Sequence, residues 1–246
     1  MSAPNGSSKT RINDPNAVRD VIPDAGLRPM LARSLGAARG WLGGNRFDGV
    51  TVALADAIRG LPGDTAQQRS LLDFGCGNMA VSGRLQEIGL VTSVRGVDTY
   101  PPPEQGGDKF DRYTQLPPGS VLPFETGAFD VAITVDVLHH IGVEDTISYL
   151  RELARVSKYV IVKDHFEYGP VTRQLLRLAD WYGNYAYGVN VPDRYYDPPF
   201  WKDVVRASGL RELSLTCPVR IHRGLFGIIL PARCHYVSVL TKDENA

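Results

Sequence analysis

The stretch Leu71–Ala80, LLDFGCGNMA, decides the fold of this chain. Its first residues form a short apolar run that predicts a buried strand, interrupted only by Asp73. Gly75 and Gly77 follow the strand directly, and a helical pattern begins after them. Glycines at such a junction let a ligand approach the backbone N–H groups at the start of a helix. The spacing therefore predicts the nucleotide-binding turn of a βαβ unit.

The next predicted strand, VRGVDTY, follows a helix expected over Ala80–Gly89 and ends at Asp98. A carboxylate at this position can accept hydrogen bonds from both hydroxyl groups of a ribose. Two more apolar runs, FDVAITV (Phe129–Val135) and YVIVKD, flank a helix predicted over residues 144–158. Because strands and helices alternate, we predict an α/β fold with a mostly parallel sheet.

The two ends of the chain differ from this central pattern. Residues 1–24 are rich in Ser, Pro, Asn and Asp, so we expect a flexible tail followed by one domain over residues 25–246. Helices are predicted over Leu27–Leu42 and Val50–Leu61. The runs ELSLTCPV and CHYVSVLTK near the other end predict an antiparallel strand pair joined by a loop that contains GLFGIILP.

Composition excludes several classes of protein. The 246 residues are 43% hydrophobic and 22% charged, with a mean hydropathy of −0.16, as in a soluble globular domain. Lys plus Arg and Asp plus Glu both number 27, so no net charge draws the chain to nucleic acid. No signal peptide or membrane-spanning run is visible, and the three cysteines are widely separated. We therefore expect a cytoplasmic protein without disulfides.

The glycine pattern alone leaves two cofactors open. Gly75 to Ala80 also satisfies the G-x-G-x-x-A pattern of NAD-dependent oxidoreductases. A carboxylate at Asp73 would repel a pyrophosphate, but it favours the cationic aminoacyl end of S-adenosylmethionine, directly or through water. The terminal β pair also stands where an NAD-binding fold would have a second βαβ half.

With these motifs in order, the chain resembles the class I S-adenosylmethionine-dependent methyltransferases, in particular the group called methyltransferase type 11. LLDFGCGNM is similar to their first motif, VDTY to the acidic end of their second strand, and LPFETGAFDVAITVDVLHHI to their fourth-strand region. The resemblance implies a Rossmann-like, three-layer αβα fold with a seven-stranded sheet and an antiparallel last strand. The cofactor-binding residues that spacing and resemblance together suggest are Asp73, Gly75, Cys76, Gly77, Asp98, Thr99, Ser120 and Asp136.

Two positions depart from the family pattern. Met79 stands where many members have a third glycine, and a methionine there has to turn away from the ligand. Pro118-Gly119-Ser120 replaces the usual acidic residue after the third strand, so Ser120 or a backbone carbonyl has to supply the contact with the adenine amino group. Asp136, just past the fourth strand, is a candidate for holding the methionine portion of the cofactor.

Histidines are the first candidates for a general base, since methyl transfer needs one when the acceptor is a hydroxyl or an acidic carbon. His139 and His140 follow the fourth strand, and His165 ends the fifth beside Asp164, all at the sheet edge where open α/β folds bind ligands. Each of the three could instead simply pack or cap. No ligand-like spacing of histidines and acids predicts a metal site.

The acceptor is expected to be a small molecule, apolar or aromatic. An aromatic-rich insertion at about residues 165–199 could form a roof over such an acceptor, or the core of a small subdomain. Residues 200–233 carry six Lys or Arg and two acids, a balance of +4 that fits contact with an anionic membrane surface, a mobile loop or a dimer contact. The acceptor, the methylated atom and the oligomeric state stay open.

Two further alternatives are carried forward. A protein that binds the cofactor and catalyses nothing is suggested by the missing acid near Ser120. RNA modification occurs on related folds, but the neutral charge and the absence of an appended RNA-binding module argue against it.

Overall fold

The computed structural model describes residues 46–63, 69–102, 111–184, 191–222 and 224–243. The tail predicted over residues 1–24 and the helix predicted over Leu27–Leu42 lie outside these ranges. The helix predicted over Val50–Leu61 is present, but it begins earlier, at Arg46, and ends at Arg59.

Helices and strands alternate as predicted. In chain order they are α1 (Arg46–Arg59), β1 (Ser70–Phe74), α2 (Ala80–Glu87), β2 (Ser93–Asp98), β3 (Tyr113–Gln115), β4 (Phe129–Val135), α3 (Val143–Val156), β5 (Ser157–His165), α4 (Pro170–Asn184), α5 (Pro198–Ala207), β6 (Leu210–Thr216), α6 (Gly224–Ile229) and β7 (His235–Lys242). A single 3-10 turn, Leu138–His140, follows β4. Another, Ala232–Cys234, precedes β7.

The strands form one seven-stranded sheet in the order β3-β2-β1-β4-β5-β7-β6. Strands β1 to β5 pair in parallel, whereas β7 runs antiparallel to both β5 and β6. The predicted fold class is therefore confirmed. Chain order reverses between β1 and β4, and open α/β sheets bind their ligands at such a switch point, beyond the carboxyl ends of the strands.

Helices cover both faces of the sheet because its central strands are apolar on both faces. Leu71 faces the side of α1 and α2, where it packs with Leu54. Leu72 faces the opposite side and belongs to the core built with α3 and α5, which includes Leu150 and Trp201. Successive side chains of β1 thus point to opposite faces of the sheet, and a layer of helices covers each face. By the same alternation, Asp73 points to the same face as Leu71.

Three local predictions differ from the structure. The helix predicted to reach residue 158 ends at Val156, since Ser157 begins β5 and its hydroxyl donates to the carbonyl of Leu153. Within the aromatic-rich segment after β5, residues 170–184 form the regular helix α4. GLFGIILP, expected as loop, contains helix α6, whose Ile228 is 78% exposed. Among the described residues, no helix is long and apolar enough to cross a membrane.

Candidate active site

The turn between β1 and α2 has a backbone that favours glycine. Its φ angle is +72° at Gly75 and +50° at Gly77, in the left-handed region that L-residues rarely adopt. A Cβ atom on Gly75 would overlap the side chain of Val137, just beyond β4, whereas one on Gly77 would meet nothing within 4 Å. The first glycine therefore allows close packing of the turn. The second leaves open, exposed backbone for a ligand.

The turn is fastened to β2. The N–H of Gly75 donates to the carbonyl of Val97 at 2.8 Å. Gly96 has no side chain, which leaves room for the buried Cys76 and Met79 to pack there. Met79 is left-handed, with φ +54°, and turned into the protein, as the departure from the family pattern required. Burial also raises the pKa of the Cys76 thiol, so this residue contributes size rather than reactivity.

Asp98 lies at the carboxyl end of β2 and faces the turn. Its Oδ2 accepts the N–H of Gly77 at 2.8 Å, and its Oδ1 accepts the N–H of Tyr100 at 3.0 Å. A carboxylate has about four lone-pair positions, so one on each oxygen stays available for a ribose hydroxyl. Together with the open backbone at Gly77, this arrangement fits the nucleoside part of S-adenosylmethionine.

Asp73 is buried, with 4% of its surface exposed. Desolvation raises its pKa to about 7, although the nearby hydroxyl of Ser82 in α2 opposes the shift and the charge of Asp98 adds to it. A carboxyl group of this kind becomes a carboxylate more readily when a cation binds beside it. The aminoacyl ammonium group of S-adenosylmethionine is such a cation.

Two more of the predicted cofactor residues, Thr99 and Ser120, come after β2 and β3. Thr99 is exposed next to Asp98, and its carbonyl accepts from the side chain of Gln115 in β3 at 3.0 Å. Ser120 is half-buried in the turn after β3, where its N–H donates to the carbonyl of Pro117 at 3.2 Å. Both come after strands that end at the same edge of the sheet as Asp98.

Asp136 follows β4 with a left-handed φ of +55°. Its Oδ1 lies 2.5 Å from Nζ of the buried Lys163 and 3.5 Å from Nδ1 of His165. This carboxylate is therefore part of a charged cluster on β5, and only 10% of its side chain is exposed. A contact between Asp136 and the methionine portion of the cofactor would have to share the carboxylate with Lys163.

All five histidines of the chain lie in one continuous array. Ring centroids are 4.1 Å apart for His140 and His139, 5.2 Å for His139 and His165, 4.8 Å for His165 and His235, and 5.2 Å for His235 and His222. We call these five residues the histidine array. It borders the turn between β1 and α2, which we call the cofactor turn, since His139 is only two positions beyond Val137, the residue that packs on Gly75.

The array is organised by a buried carboxylate, Asp164. Its Oδ1 lies 2.5 Å from Nδ1 of His139 and 3.3 Å from Nδ1 of His165, and the side chains of Asp164 and His139 are fully buried. Burial by itself lowers the pKa of His139, but the carboxylates of Asp164 and Asp180 outweigh it and raise that pKa to about 10. The same contact with His139 holds the pKa of Asp164 below its usual range.

The pKa of His165 shifts in the opposite direction from that of His139. Burial and the positive charge of Lys163 lower its pKa, so its imidazole is neutral near pH 7, although Asp136 and Asp164 act in the other direction. Its Nδ1 faces these two carboxylates, which favours a proton on Nδ1 and leaves the lone pair on Nε2. About 13% of its side chain is exposed, so this ring, unlike that of His139, is reached from outside.

The aromatic residues of the predicted roof are divided between core and surface. Phe166 stacks on Tyr236 at 3.8 Å, and Trp201 is fully buried beside Tyr196. Tyr195 lies 5.2 Å from the ring of His139 and lines the array. Tyr168, Trp181 and Phe200 are exposed, and Tyr185 and Tyr187 lie outside the described residues.

Several members of the site were not suggested by the sequence. They are Gly96, Val137, Lys163, Asp180, His222 and His235. The last three lie far along the chain from the recognised motifs, and a buried Lys or Asp looks like a surface residue in a sequence. The one available signal was KDH at the end of β5, where two charges interrupt an apolar run. Spacing along the chain also concealed the approach of Asp180 to His139 and His140.

Comparison with known families identifies the domain. The family of methyltransferase domains matches residues 47–215. That match covers β1 to β6 and includes both the cofactor turn and most of the histidine array. No curated protein matches the chain.

Solved structures share the fold. A complex of the Haloferax volcanii Trm112 methyltransferase activator with a methyltransferase matches at 13% identity with a TM-score of 0.59, over 89% of this chain and 98% of that one. The Burkholderia thailandensis 1,6-didemethyltoxoflavin-N1-methyltransferase, with its acceptor and S-adenosylhomocysteine bound, matches at 19% and 0.55, over 99% and 94%. The mitomycin 7-O-methyltransferase matches at 17% and 0.55, over 93% and 60%.

Proposed function

The chain belongs to the class I S-adenosylmethionine-dependent methyltransferases, and from this premise we propose that its acceptor is a small molecule bound against the histidine array. The observation that carries the proposal is the convergence of all five histidines at the carboxyl edge of the sheet, beside the cofactor turn. The acceptor and the cofactor would then meet at the switch point between β1 and β4.

The cofactor side of the proposal uses residues around the first turn. S-Adenosylmethionine, when bound, supplies an electrophilic methyl group on a sulfonium. Asp98 would accept from the ribose hydroxyls, Gly77 would admit the ligand to the backbone, and Asp73 would balance the ammonium group. Ser120 would face the adenine and Asp136 the methionine portion, while Cys76 and Thr99 complete the wall.

The acceptor side would be bounded by the array and Tyr195. Because methyl transfer is an in-line displacement, the main task of these residues is to orient the acceptor and exclude water. His165 is the residue we assign to accept a proton from the acceptor, since its Nδ1 faces Asp136 and Asp164 while the ring stays partly accessible. His139 is fully buried against Asp164 and would support the adjacent ring of His140, which is partly exposed and would contact the acceptor.

A small acceptor fits the surface better than a nucleic acid. The chain has no net charge, and the buried rings of His139 and Tyr195 lie at the site. The toxoflavin and mitomycin enzymes named above act on small molecules, which supports the same class here. Its three cysteines are free, in keeping with the cytoplasmic location that we propose.

The NAD-dependent alternative is not supported. Beyond β5 the sheet continues with β7, which is antiparallel to both β5 and β6, and not with a second parallel half, and the family match is to methyltransferases. A protein that binds cofactor without catalysis would share this fold, so turnover has to be measured.

The first experiment is a calorimetric titration with S-adenosylhomocysteine, using NAD as control. We expect one site per chain for S-adenosylhomocysteine and no heat with NAD. Radioactive methyl transfer from S-adenosylmethionine is then measured over a panel of phenols, hydroxy acids and nitrogen heterocycles, with bulk RNA as a comparison. His165→Gln is expected to lower kcat for a hydroxyl acceptor while leaving cofactor affinity within about twofold. Methylation of RNA alone would contradict the small-molecule assignment.

A further inference from the structure

Helix α4 meets the 3-10 turn after β4 through three side chains. Oδ1 of Asp180, on α4, lies 3.6 Å from Nε2 of His139 and 3.6 Å from Nε2 of His140. The three atoms all lie within 4.8 Å of one another. Two imidazole nitrogens and a carboxylate oxygen from distant parts of the chain therefore converge on one point.

Their separations are not those of hydrogen bonds. A hydrogen bond between nitrogen and oxygen spans 2.7–3.2 Å, and both contacts to Asp180 are longer. Around a tetrahedral zinc ion with bonds of 2.0–2.2 Å, neighbouring ligand atoms are about 3.3–3.6 Å apart. The two distances to Asp180 match that spacing. By contrast, Asp164 approaches Nδ1 of His139 to 2.5 Å, which is a hydrogen bond.

Asp164 also fixes how His139 presents its other nitrogen. A proton on Nδ1 donates to this carboxylate, so Nε2 is the nitrogen that faces Asp180, and a metal ion would take the place of the proton held there. Nε2 of His139 is buried without a hydrogen-bond partner among the described residues. A carboxylate behind a metal-binding histidine is the usual means of setting its tautomer and orientation.

From this geometry we propose that His139, His140 and Asp180 bind a divalent transition-metal ion of the zinc class, with Asp164 orienting His139. Two imidazoles select such an ion over Mg²⁺ or Ca²⁺, which prefer oxygen ligands. Three protein ligands leave a fourth coordination position open. The side chains of His140 and Asp180 are 16% and 11% exposed, so the open position and the path of entry lie on their side.

The use of the ion rests on the proposed function. A hydroxyl of the acceptor bound at the open position loses its proton to His165, and from there to solvent, more easily because the ion stabilises the oxyanion. The oxyanion then forms a bond to the methyl carbon as the carbon–sulfur bond breaks, and the sulfur leaves as the neutral thioether of S-adenosylhomocysteine. One proton is released for each methyl transferred, and no redox change occurs. The site therefore favours hydroxylated acceptors such as phenols and enols.

The test measures metal binding directly, on full-length protein whose affinity tag contains no histidine. Metal-free protein is titrated with Co²⁺, whose visible ligand-field absorption reports nitrogen coordination, and then with Zn²⁺ in competition and with Mg²⁺. We expect one Co²⁺ per chain, displaced by Zn²⁺ and not by Mg²⁺. Asp180→Ala and His140→Gln should each weaken Co²⁺ binding about 100-fold or more. His222→Gln, which removes an imidazole from the far end of the array, should change it less than about threefold.

Each other outcome overturns a defined part of the proposal. No stoichiometric Co²⁺ band in the wild type, or a band unchanged in both ligand variants, excludes the site. Loss of the band in His165→Gln but not in Asp180→Ala moves the ion to the Asp164 side. Cofactor affinity is measured in parallel with S-adenosylhomocysteine. Binding of Co²⁺ without binding of S-adenosylhomocysteine would support the metal site and contradict the proposed function. Binding of S-adenosylhomocysteine without binding of Co²⁺ would support the proposed function and exclude the metal site.

Discussion

The turn after β1 and the histidine array lie at the same edge of the sheet, yet they are built in opposite ways. The turn is local, since Asp73, Gly75 and Gly77 stand within five residues and only Asp98 comes from elsewhere. The array draws its five rings from the turn after β4, the end of β5, the segment before α6 and the start of β7.

The two regions also depend on different physical terms. At the turn, backbone conformation and backbone hydrogen bonds determine the geometry, so the residues needed are small. In the array, buried charges and imidazoles stabilise one another, and each is costly to bury alone. We therefore expect mutations in the array to act first on stability, and mutations at the turn to act first on cofactor binding.

The largest effect is expected for Asp164→Ala. This change leaves the buried His139 without the carboxylate that holds it, and removing one partner of a buried ion pair typically costs about 3–5 kcal/mol. The free energy of unfolding from urea titration should fall by that amount. Asp203→Ala, in an exposed pair with Arg206, is the control and should cost under about 0.5 kcal/mol. Similar losses in the two variants would mean that the array is not held by Asp164.

Gly75→Ala tests how much the backbone conformation of the turn after β1 contributes to the free energy of unfolding. A left-handed alanine that also overlaps Val137 should cost about 3 kcal/mol in the free energy of unfolding. Gly127→Ala is a matched control, because Gly127 has the same φ of +72° with nothing within 4 Å of its Cβ position. It should cost about 1 kcal/mol. Adding Val137→Ala to Gly75→Ala should recover part of the loss, and no recovery would argue against the overlap.

Asp98→Ala should affect binding more than folding. Losing a charged acceptor for the ribose hydroxyls should weaken S-adenosylhomocysteine binding by about 2 kcal/mol, or about 30-fold, in a calorimetric titration. Asp130→Ala is the control, since Asp130 accepts the N–H of Ser70 at 2.8 Å just as Asp98 accepts that of Gly77. Asp130 lies at the opposite end of the strands, so its loss should leave affinity unchanged. Full affinity in Asp98→Ala would contradict the ribose assignment.

The smallest effect concerns Asp73. Its raised pKa of about 7 means that the free protein holds about half a proton there at pH 7. A bound ammonium group favours the carboxylate, so the pKa falls and up to about half a proton is released to the buffer. Binding enthalpies measured at pH 7 in two buffers of different ionisation enthalpy should reveal it, and Asp73→Asn should abolish the difference. Equal binding enthalpies of the wild type in the two buffers would contradict a contact between Asp73 and the ammonium group of the ligand.

The raised pKa of Asp73 also has a consequence for stability. A carboxyl group whose folded-state pKa lies above its unfolded value favours the folded state at low pH, and this contribution is lost as the pH rises toward 7. Asp73→Asn should therefore flatten the dependence of the unfolding free energy on pH between about 4 and 7.

Most of the fold was predictable from the sequence because its signals are local. Apolar runs gave the central strands, and the glycines after β1 gave the turn. The prediction failed where tertiary contacts override a local pattern. GLFGIILP was expected as a loop but contains α6, and the adjoining Leu230 packs beside Leu176 of α4. A short stretch of sequence does not show which distant segment will pack against it and stabilise it as a helix.

The sequence by itself determined the βαβ turn, the acidic end of β2 and the family, because those features depend on residues close together in the chain and on backbone conformations that few residue types adopt. Only the tertiary structure decided that His222 and His235 join His139, His140 and His165, and that Asp180 approaches two of them. The reason is physical: strand pairing and helix packing set distances between residues far apart in sequence. No spacing along the chain encodes where those residues meet.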